Sequence, residues 1–559
     1  MPEIMDKLIE NPLAEVAGIF NSSEKDAKLA LDAVLLYFRN KLEFSSNDFQ
    51  KIPSLNEANH NGLPNGSLVR FRGMIQDIYD PEYFMPSYRN ESDIVPSMFR
   101  DPDEKELGFF AEHDNRSLME RSTWHCIALP GENTWVTENY SKTAGTHYGV
   151  PAKRSRSDEM EVEAQEPNAS RPWCFPVDSN QISCIVKVYN AGDEARLNEM
   201  VDLVGILSHV TDHGEPADGP GSDEFKFKNP STSQVPRIHA VFCKKLYHDN
   251  PLLGRHINIE SSIQRRRALD EAQMNRQELL SVFKKLFYGD EHCAEYLLMF
   301  LISRVYLRHD VLALGKFSLN LRNIAQDQAR AIAEVLALLV TKSHAIPLSL
   351  EYLNSAKFVP NKDYELNRLQ SGLLQLSPGT ILICDENALN AGQLNDDGIR
   401  NLKALGNMIQ NQCLEYNFGF QAVEFQTDTP VLYLSQGKSM VNCDFYSTMP
   451  APTRPKEDMA QVVEEIKQQL SDDVLTRLRR YITVLKWEDH QLSDEMQQKV
   501  QDDFVKLRSL HKSMTADDLH SLLVVARYVS LLEGEMELTP ECWEHAKNLE
   551  KERHSRGRM

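Results

Sequence analysis

The sequence predicts an α+β, multidomain chain: an N-terminal helical cap, a β-barrel, an α/β domain and a C-terminal helical region. Three patterns carry this expectation. In the N-terminal half, runs such as QISCIVKVYN (181–190) and MVDLVGILSHV (200–210) carry apolar residues at period two, the alternation of a half-buried strand. After Pro251, short apolar runs such as TILIC and PVLYLS stand between helical stretches, the signature of a parallel sheet covered by helices. From Asp458 onward the apolar spacing is helical, through MAQVVEEIKQQL, DDVLTRLRRYITVLKW, DDFVKLRSL, TADDLHSLLVVARYVSLLE and PECWEHAKNLEKER.

Taken in order, KDAKLALDAVLLYFRN (25–40) predicts an amphipathic helix with Leu29, Ala33, Leu36 and Phe38 on or near one side. Two Asn-Gly turns come next. SLVRFRGMIQDIYD (67–80) then alternates Val69, Phe71 and Ile75 with polar residues, as two short strands or one long bent strand with Gly73 at a bulge or coil. STWHCIALP (122–130) is strand-like and TWVTENY comes after it. PAKRSRSDEMEVEAQEPNAS (151–170) has almost no large apolar content and is expected to be disordered. Its cluster Lys153, Arg154 and Arg156 reads either as a nuclear import signal or as solubilising loop charge. VPRIHAVFCKKL (235–246) adds a further strand. Together these strands point to an OB-like β-barrel carrying polar insertions. Beyond it, 261–314 reads as helical, KFSLNL (316–321) as a short strand and ARAIAEVLALLV as a helix. The expected organisation is a helical segment at 1–60 and a barrel domain at 61–255, with disordered insertions near 90–115, 148–178 and 211–230. An α/β domain at 256–455 and a C-terminal helical domain at 456–559, which the resemblance given below makes lid-like, complete it.

A formal net charge of −21 over 559 residues disfavours sequence-independent capture of nucleic acid, whose affinity comes from Lys and Arg neutralising phosphates. Direct nucleic-acid binding is therefore not expected, and a protein is the simpler partner. Nine cysteines without a C-x-x-C read as reduced, mostly buried thiols of an intracellular protein. The N-terminus lacks a basic-then-apolar signal pattern, and no run reaches the ~18 to 20 apolar residues that span a bilayer. A cytosolic or nuclear protein with no membrane association is expected.

TILICDENAL (380–389) resembles half of a nucleotide-hydrolysis site. A buried strand delivers Asp385 and Glu386 at its carboxyl end, where a P-loop ATPase holds Mg²⁺ and polarises water. The other half would be G-x-x-x-x-G-K and then Ser or Thr. The best upstream register is DVLALGKF (310–317), which keeps Gly315 and Lys316 but puts Asp310 at the first glycine and Phe317 at the hydroxyl. Downstream, Ser435 could stand where a residue positions water, and Gly437-Lys438-Ser439 matches half a loop without its first glycine. The simpler reading of Asp385 and Glu386 is that they cap the turn after the strand. No catalytic, cofactor-binding or metal-ligating residue is assigned, and no cofactor is expected.

Several long stretches carry a family resemblance. They include VRFRGMIQDIYDPEYF (69–84), ERSTWHCIALPGENTWV (120–136), VPRIHAVFCKKLYHDNPLL (235–253), AEYLLMFLISRVYLRHDVLALGKFSLNL (294–321), KFVPNKDYELNRLQSGLLQLSPGTILICDE (357–386) and SMTADDLHSLLVVARYVSL (513–531). Over nearly its full length the chain resembles the minichromosome maintenance (MCM) complex-binding proteins, a family itself similar to the MCM helicase subunits. The resemblance implies a degenerate AAA+-like domain in which Ser371 to Glu386 match the acidic strand. It also implies a lid in which TADDLHS (515–521) puts Asp517 at the position of a phosphate-contacting arginine. That charge reversal is unfavourable beside phosphate. The function that the resemblance implies is that of a non-enzymatic nuclear factor that binds MCM subunits or subcomplexes and stabilises newly made ones. It would also promote MCM complex disassembly from chromatin in late S phase, supporting replication, cell division and sister chromatid cohesion, with chromatin association indirect. A divergent AAA+ ATPase and an OB-fold nucleic-acid-binding protein are the alternatives. Which of Tyr79, Tyr83 and Phe84 face a partner is open, the barrel core being the favoured place.

Overall fold

Three short helices open the chain: α1 (Pro2–Glu10), α2 (Pro12–Ser22) and α3 (Ala27–Lys41). The computed structural model describes residues 2–42, 51–56, 62–90, 93–101, 118–143, 182–189, 195–209, 235–253, 263–310, 312–365, 368–451, 458–510 and 515–556. The expectations for 151–170, including Lys153, Arg154 and Arg156, and for 211–230 lie outside these residues. Helix α3 starts where the Asp26 carboxylate accepts the Leu29 N–H at 2.9 Å, a side-chain cap for an otherwise orphaned donor. Its buried stripe is Ala30, Leu31, Val34 and Phe38. Leu29 and Leu36, expected inside, are 62% and 56% exposed. They lie seven residues apart on a different face, and the core instead takes the face that meets Phe84, Tyr189, Val204 and Val241 of the barrel.

The barrel strands are β1 (Leu68–Phe84), β4 (Met119–Ile127), β5 (Ser183–Val188), β6 (Met200–Ser208) and β7 (Arg237–Leu246), closed in the order β1-β4-β5-β7-β6. A single 17-residue strand closes it by serving two neighbours: Leu68 to Met74 pair with β6, and Met74 to Phe84 pair with β4. Gly73 sits where β1 changes partner. A Cβ there would lie 2.2 Å from the Ile127 carbonyl oxygen, so close backbone approach, and not a bulge, requires the glycine. The register breaks fall later, between Ile75 and Asp77 and between Tyr79 and Glu82. Of the three aromatics, Phe84 is buried and Tyr79 packs against Ile185 and Val235, but Tyr83 is 72% exposed. Strands β2 (Ser87–Asn90) and β3 (Asp93–Pro96) form a hairpin, and Met98 and Phe99 are buried against α1–α3. The part of the 90–115 insertion that is described is therefore packed, held by Phe99 N–H donating to the Tyr189 hydroxyl at 3.1 Å. TWVTENY lies in helix α4 (Thr134–Thr143).

The next region begins with α5 (Ile263–Asp270), α6 (Ala272–Leu286) and α7 (Glu291–Ile302). The expected helix does not continue to 314. It ends at Ser303, and β8 (Leu307–His309) and β9 (Leu312–Leu314) form a hairpin turning at Asp310, whose φ is 52°. A parallel sheet comes next, built from β10 (Leu319–Arg322), β11 (Ser343–Pro347), β14 (Ile381–Asp385), β17 (Val431–Ser435) and β18 (Phe445–Thr448) in the order β11-β14-β17-β10-β18. Period-two alternation splits each central strand between two cores. Ile381, Ile383, Leu432 and Leu434 face one, with α6, α7 and α8 (Gln326–Leu339) and the C-terminal helices. Leu382, Cys384, Val431 and Tyr433 face the other. This second core holds α9 (Leu350–Ser355), α10 (Asp396–Asn411) and the barrel residues Met74, Ile127, Leu129, Met200 and Leu246. The sequence pattern missed a four-stranded sheet, β13-β12-β15-β16, from β12 (Asn361–Asp363), β13 (Arg368–Gln370), β15 (Cys413–Asn417) and β16 (Ala422–Gln426).

Helices α11 (Met459–Gln469), α12 (Asp472–Trp487), α13 (Asp494–Leu510), α14 (Ala516–Glu533) and α15 (Pro540–Arg556) complete the chain as expected. No helix among the described residues is long and apolar enough to cross a membrane. The described cysteines are free thiols, and Cys126, Cys184, Cys293, Cys384 and Cys542 are buried.

Candidate functional site

In a parallel α/β sheet, ligands gather at the carboxyl ends of the strands. Here β14 brings Asp385 and Glu386 to that end, β17 brings Ser435 and β10 brings Arg322. Three of these polar groups are engaged by neighbouring protein atoms as follows. The Asp385 carboxylate accepts the Asn387 N–H at 3.0 Å and caps the turn after the strand. Glu386 Oε1 accepts the Met440 N–H at 2.9 Å and lies 3.3 Å from the Tyr433 hydroxyl. The Ser435 hydroxyl lies 3.0 Å from both Asn320 Oδ1 and the Gly437 carbonyl. The capping role expected for the acid pair therefore holds for Asp385, and Glu386 ties its turn to the segment after β17.

The phosphate cradle has no room. Strand β10 passes into α8 through Asn323, Ile324 and Ala325 alone. Asn323 adopts a left-handed φ of 63° and donates through Nδ2 to the Met449 carbonyl at 2.9 Å. Ile324 is fully buried, and its N–H donates to the Ser435 carbonyl at 3.1 Å. A glycine-rich loop must turn several backbone N–H groups towards phosphate, and this three-residue turn is stitched to the neighbouring strand ends instead.

The upstream register is corrected by the same geometry. The segment DVLALGKF precedes β10 and lies at the sheet's amino end. Asp310 is the exposed tip of the β8–β9 hairpin. Gly315 has φ 87°, and a Cβ there would meet the Arg304 carbonyl at 2.5 Å. Lys316 is ion-paired with Asp444, which also accepts from the Ser318 hydroxyl at 2.7 Å. Phe317 is a core residue stacked on Phe445 at 4.1 Å. None of the four occupies a phosphate-facing position. Gly437-Lys438-Ser439 precedes β18 and no helix, so its likeness to a phosphate loop is accidental. Thr515 and Asp518 of TADDLHS form the capping box of α14, Asp518 Oδ2 accepting the Thr515 N–H at 2.7 Å, with Asp517 exposed beside them.

A cleft of about 720 Å³ opens beside the end of β18, lined by Asp290, Glu291, Glu295, Glu552, His292 and His545 among others. Its carboxylates hold its cations: Arg556 pairs with Asp290, and His545 lies 2.8 Å from Glu295, the hydrogen bond that raises the His545 pKa. Among the described residues no cluster has the donors to hold a metal ion.

The barrel and the sheet meet across a polar seam above the shared core. The Gln76 amide lies 3.3 Å from Gln375 Oε1, and the Gln375 amide donates to the Gln76 backbone carbonyl at 2.9 Å. Asp77 accepts the Leu369 N–H at 2.7 Å, and Asn198 donates to the Tyr416 hydroxyl at 2.7 Å. Trp135 donates to the Val340 carbonyl at 2.9 Å. No sequence pattern signals these pairs, which join residues far apart in the chain.

A family profile described as the mini-chromosome maintenance replisome factor matches residues 38–173 and 156–557. The chain belongs to this family. Among its relatives, the mini-chromosome maintenance complex-binding protein of Danio rerio is 34% identical, covering 98% of this chain and 97% of that protein. The Homo sapiens protein of the same name is 33% identical with the same coverage. The Drosophila melanogaster protein is 31% identical over 91% of this chain and 92% of its own length. Since the profile spans residues 38–557, both the barrel and the sheet described above fall within the shared sequence.

Proposed function

We propose that this family member is a non-enzymatic binding partner of MCM subunits or subcomplexes in DNA replication. The observation that carries the reading is the nearly full-length match to relatives named for binding the MCM complex. The strand ends support a binding role over catalysis, because Asp385, Glu386, Ser435 and the Asn323–Ala325 turn are occupied in holding neighbouring segments.

The finer architecture is part of the same proposal. The strand order of the barrel supports an OB-like fold. The five-stranded parallel sheet, with its acid pair after β14, supports a degenerate AAA+-like domain, and α11–α15 a lid-like unit. The division into 1–60, 61–255, 256–455 and 456–559 follows these element types. Nucleic-acid binding by the barrel is disfavoured, since Arg70, Arg72, Arg121 and Lys187 are buried and each is paired with a carboxylate. Nuclear localisation, import through Lys153, Arg154 and Arg156, and promotion of MCM complex disassembly from chromatin in late S phase, with support of cohesion, complete the reading.

The test is retention of individual MCM subunits by the purified full-length chain. The full chain is required, because a cut near residue 255 would open the core that Met74 and Met200 share with Leu382 and Tyr433. Retention of at least one subunit is expected; a folded chain that retains none would refute the proposal.

A further inference from the structure

Phe420, in the turn between β15 and β16, and Tyr364, directly after β12, present two large aromatic side chains to solvent side by side. Phe420 is 80% exposed and Tyr364 is 52% exposed, yet their rings lie 5.6 Å apart and tilted by 31°. They are held in place. The Tyr364 hydroxyl donates to the Phe418 carbonyl at 2.9 Å, and Asn417 Oδ1 accepts the Gly419 N–H at 2.9 Å. Gly419 has φ 74°, and a Cβ there would only touch the Tyr364 ring at 3.5 Å, so the turn conformation demands the glycine. Exposed aromatics pre-ordered in this way lose little entropy when covered, as interface anchors do.

The strand after Phe420 is an edge. β16 ends the order β13-β12-β15-β16, and Ala422, Val423, Glu424 and Gln426 are exposed. Phe425 packs inward on Tyr416 at 4.3 Å, so the strand is anchored on one face and open along its side. Exposed edges are commonly guarded by charged side chains, proline or a bulge; Ala422–Gln426 has no lysine or proline, its pairing with β15 is unbroken, and its one charge is the exposed carboxylate of Glu424, which selects a basic partner. On the solvent face Glu415 stands directly opposite Glu424. Like charges in that cross-strand relation destabilise a hairpin, and among the described residues no ion pair neutralises either one. Asp363 and Glu365 flank Tyr364 in sequence and add to the same sign.

We propose that the Tyr364–Phe420 pair and the β16 edge dock an extended segment of a partner protein, one carrying a large apolar side chain among basic residues. The apolar side chain would cover the aromatic pair, main-chain groups would extend the sheet at β16, and Lys or Arg would relieve the Glu415–Glu424 repulsion. This inference rests on the proposed MCM-binding role, with the MCM subunit as the source of the segment.

The experiment compares three full-length proteins for binding to whichever MCM subunit the wild type retains: wild type, Tyr364→Ala/Phe420→Ala, and Glu415→Lys/Glu424→Lys. Thermal melting checks that each is folded, and the charge variant keeps the question open should the aromatic variant misfold. The aromatic variant is expected to bind roughly 30-fold more weakly, as befits loss of a central anchor. The charge variant should also bind more weakly, with a flatter salt dependence. Folded variants that bind like wild type would overturn the docking surface while leaving the MCM-binding role standing. Loss of self-association without loss of MCM retention would overturn it too, by assigning the surface to a second copy. A wild type that retains no MCM subunit would overturn both proposals.

Discussion

His125 makes the seam between barrel and sheet sensitive to acid. Its Nδ1 lies 2.8 Å from Gln76 Oε1, its ring is stacked at 6.4 Å on Tyr79, and the Arg368 cation is close enough to repel an added proton. Burial, and then Arg368, lower its pKa from 6.5 to about 4. As pH falls, the unfolded chain therefore takes up this proton before the folded one does. The stability tied to a neutral His125 is present above about pH 6.5 and drains away as pH falls towards about 4. At about 1.36 kcal/mol per pH unit, the loss reaches ~2.5 kcal/mol near pH 4.5 and saturates near ~3.4 kcal/mol. Urea unfolding monitored by tryptophan fluorescence suits the measurement, since Trp124 and Trp135 are buried in or beside the barrel. Other groups titrate in the same window, so the informative quantity is the difference between wild type and His125→Gln. Gln keeps a partner for Gln76 but cannot take the proton. The variant should start less stable at about pH 7 and close on the wild type by ~2 kcal/mol or more as pH falls to about 4.5. Parallel curves would refute the buried, neutral His125.

Calorimetric titration with Mg-ATP should show no micromolar binding, because Ile324 and its backbone fill the β10–α8 turn; such binding would contradict that assignment. Gly73→Ala should destabilise the chain by about 3 kcal/mol or more, at the upper end for overpacking, because the new Cβ meets the Ile127 carbonyl at 2.2 Å. A melting midpoint equal to wild type would show that β1 can shift without cost. Deleting 151–170 should leave the midpoint within roughly 5 °C, since the segment carries too little apolar side chain to offset ~1 to 2 kcal/mol of ordering entropy per residue; a larger drop would show that it packs.

The parts of the fold legible in the sequence were those whose burial leaves a periodic trace. β5, β6, β7, β14 and β17 are apolar runs because at least one face is always inside. β12 and β13, with only Asn-Lys-Asp and Arg-Leu-Gln, are too short and polar to show a period. The β8–β9 hairpin was hidden because RVYLRHDVLAL continues the apolar content of α7 without a glycine or proline to break it. The acid pair was read at its true place because it directly follows a buried strand. The phosphate-loop register was misplaced because Gly315-Lys316 is a conspicuous pair, whereas the turn that replaces the loop, Asn323 to Ala325, is marked only by being short. Phe420 carried a local signal in Asn-Phe-Gly-Phe at 417–420, a turn with aromatic neighbours, but its meeting with Tyr364 depends on a sheet that the pattern did not show.

Whether this chain binds MCM subunits, and does so without needing nucleotide, is decided most directly by one pull-down. Purified full-length chain is mixed with each purified MCM subunit at moderate salt, without DNA and without added nucleotide. Stoichiometric retention of at least one subunit is expected under these conditions. Retention of none by a folded chain, or retention that appears only with Mg-ATP and is lost with Glu386→Gln, would contradict the binding role proposed above.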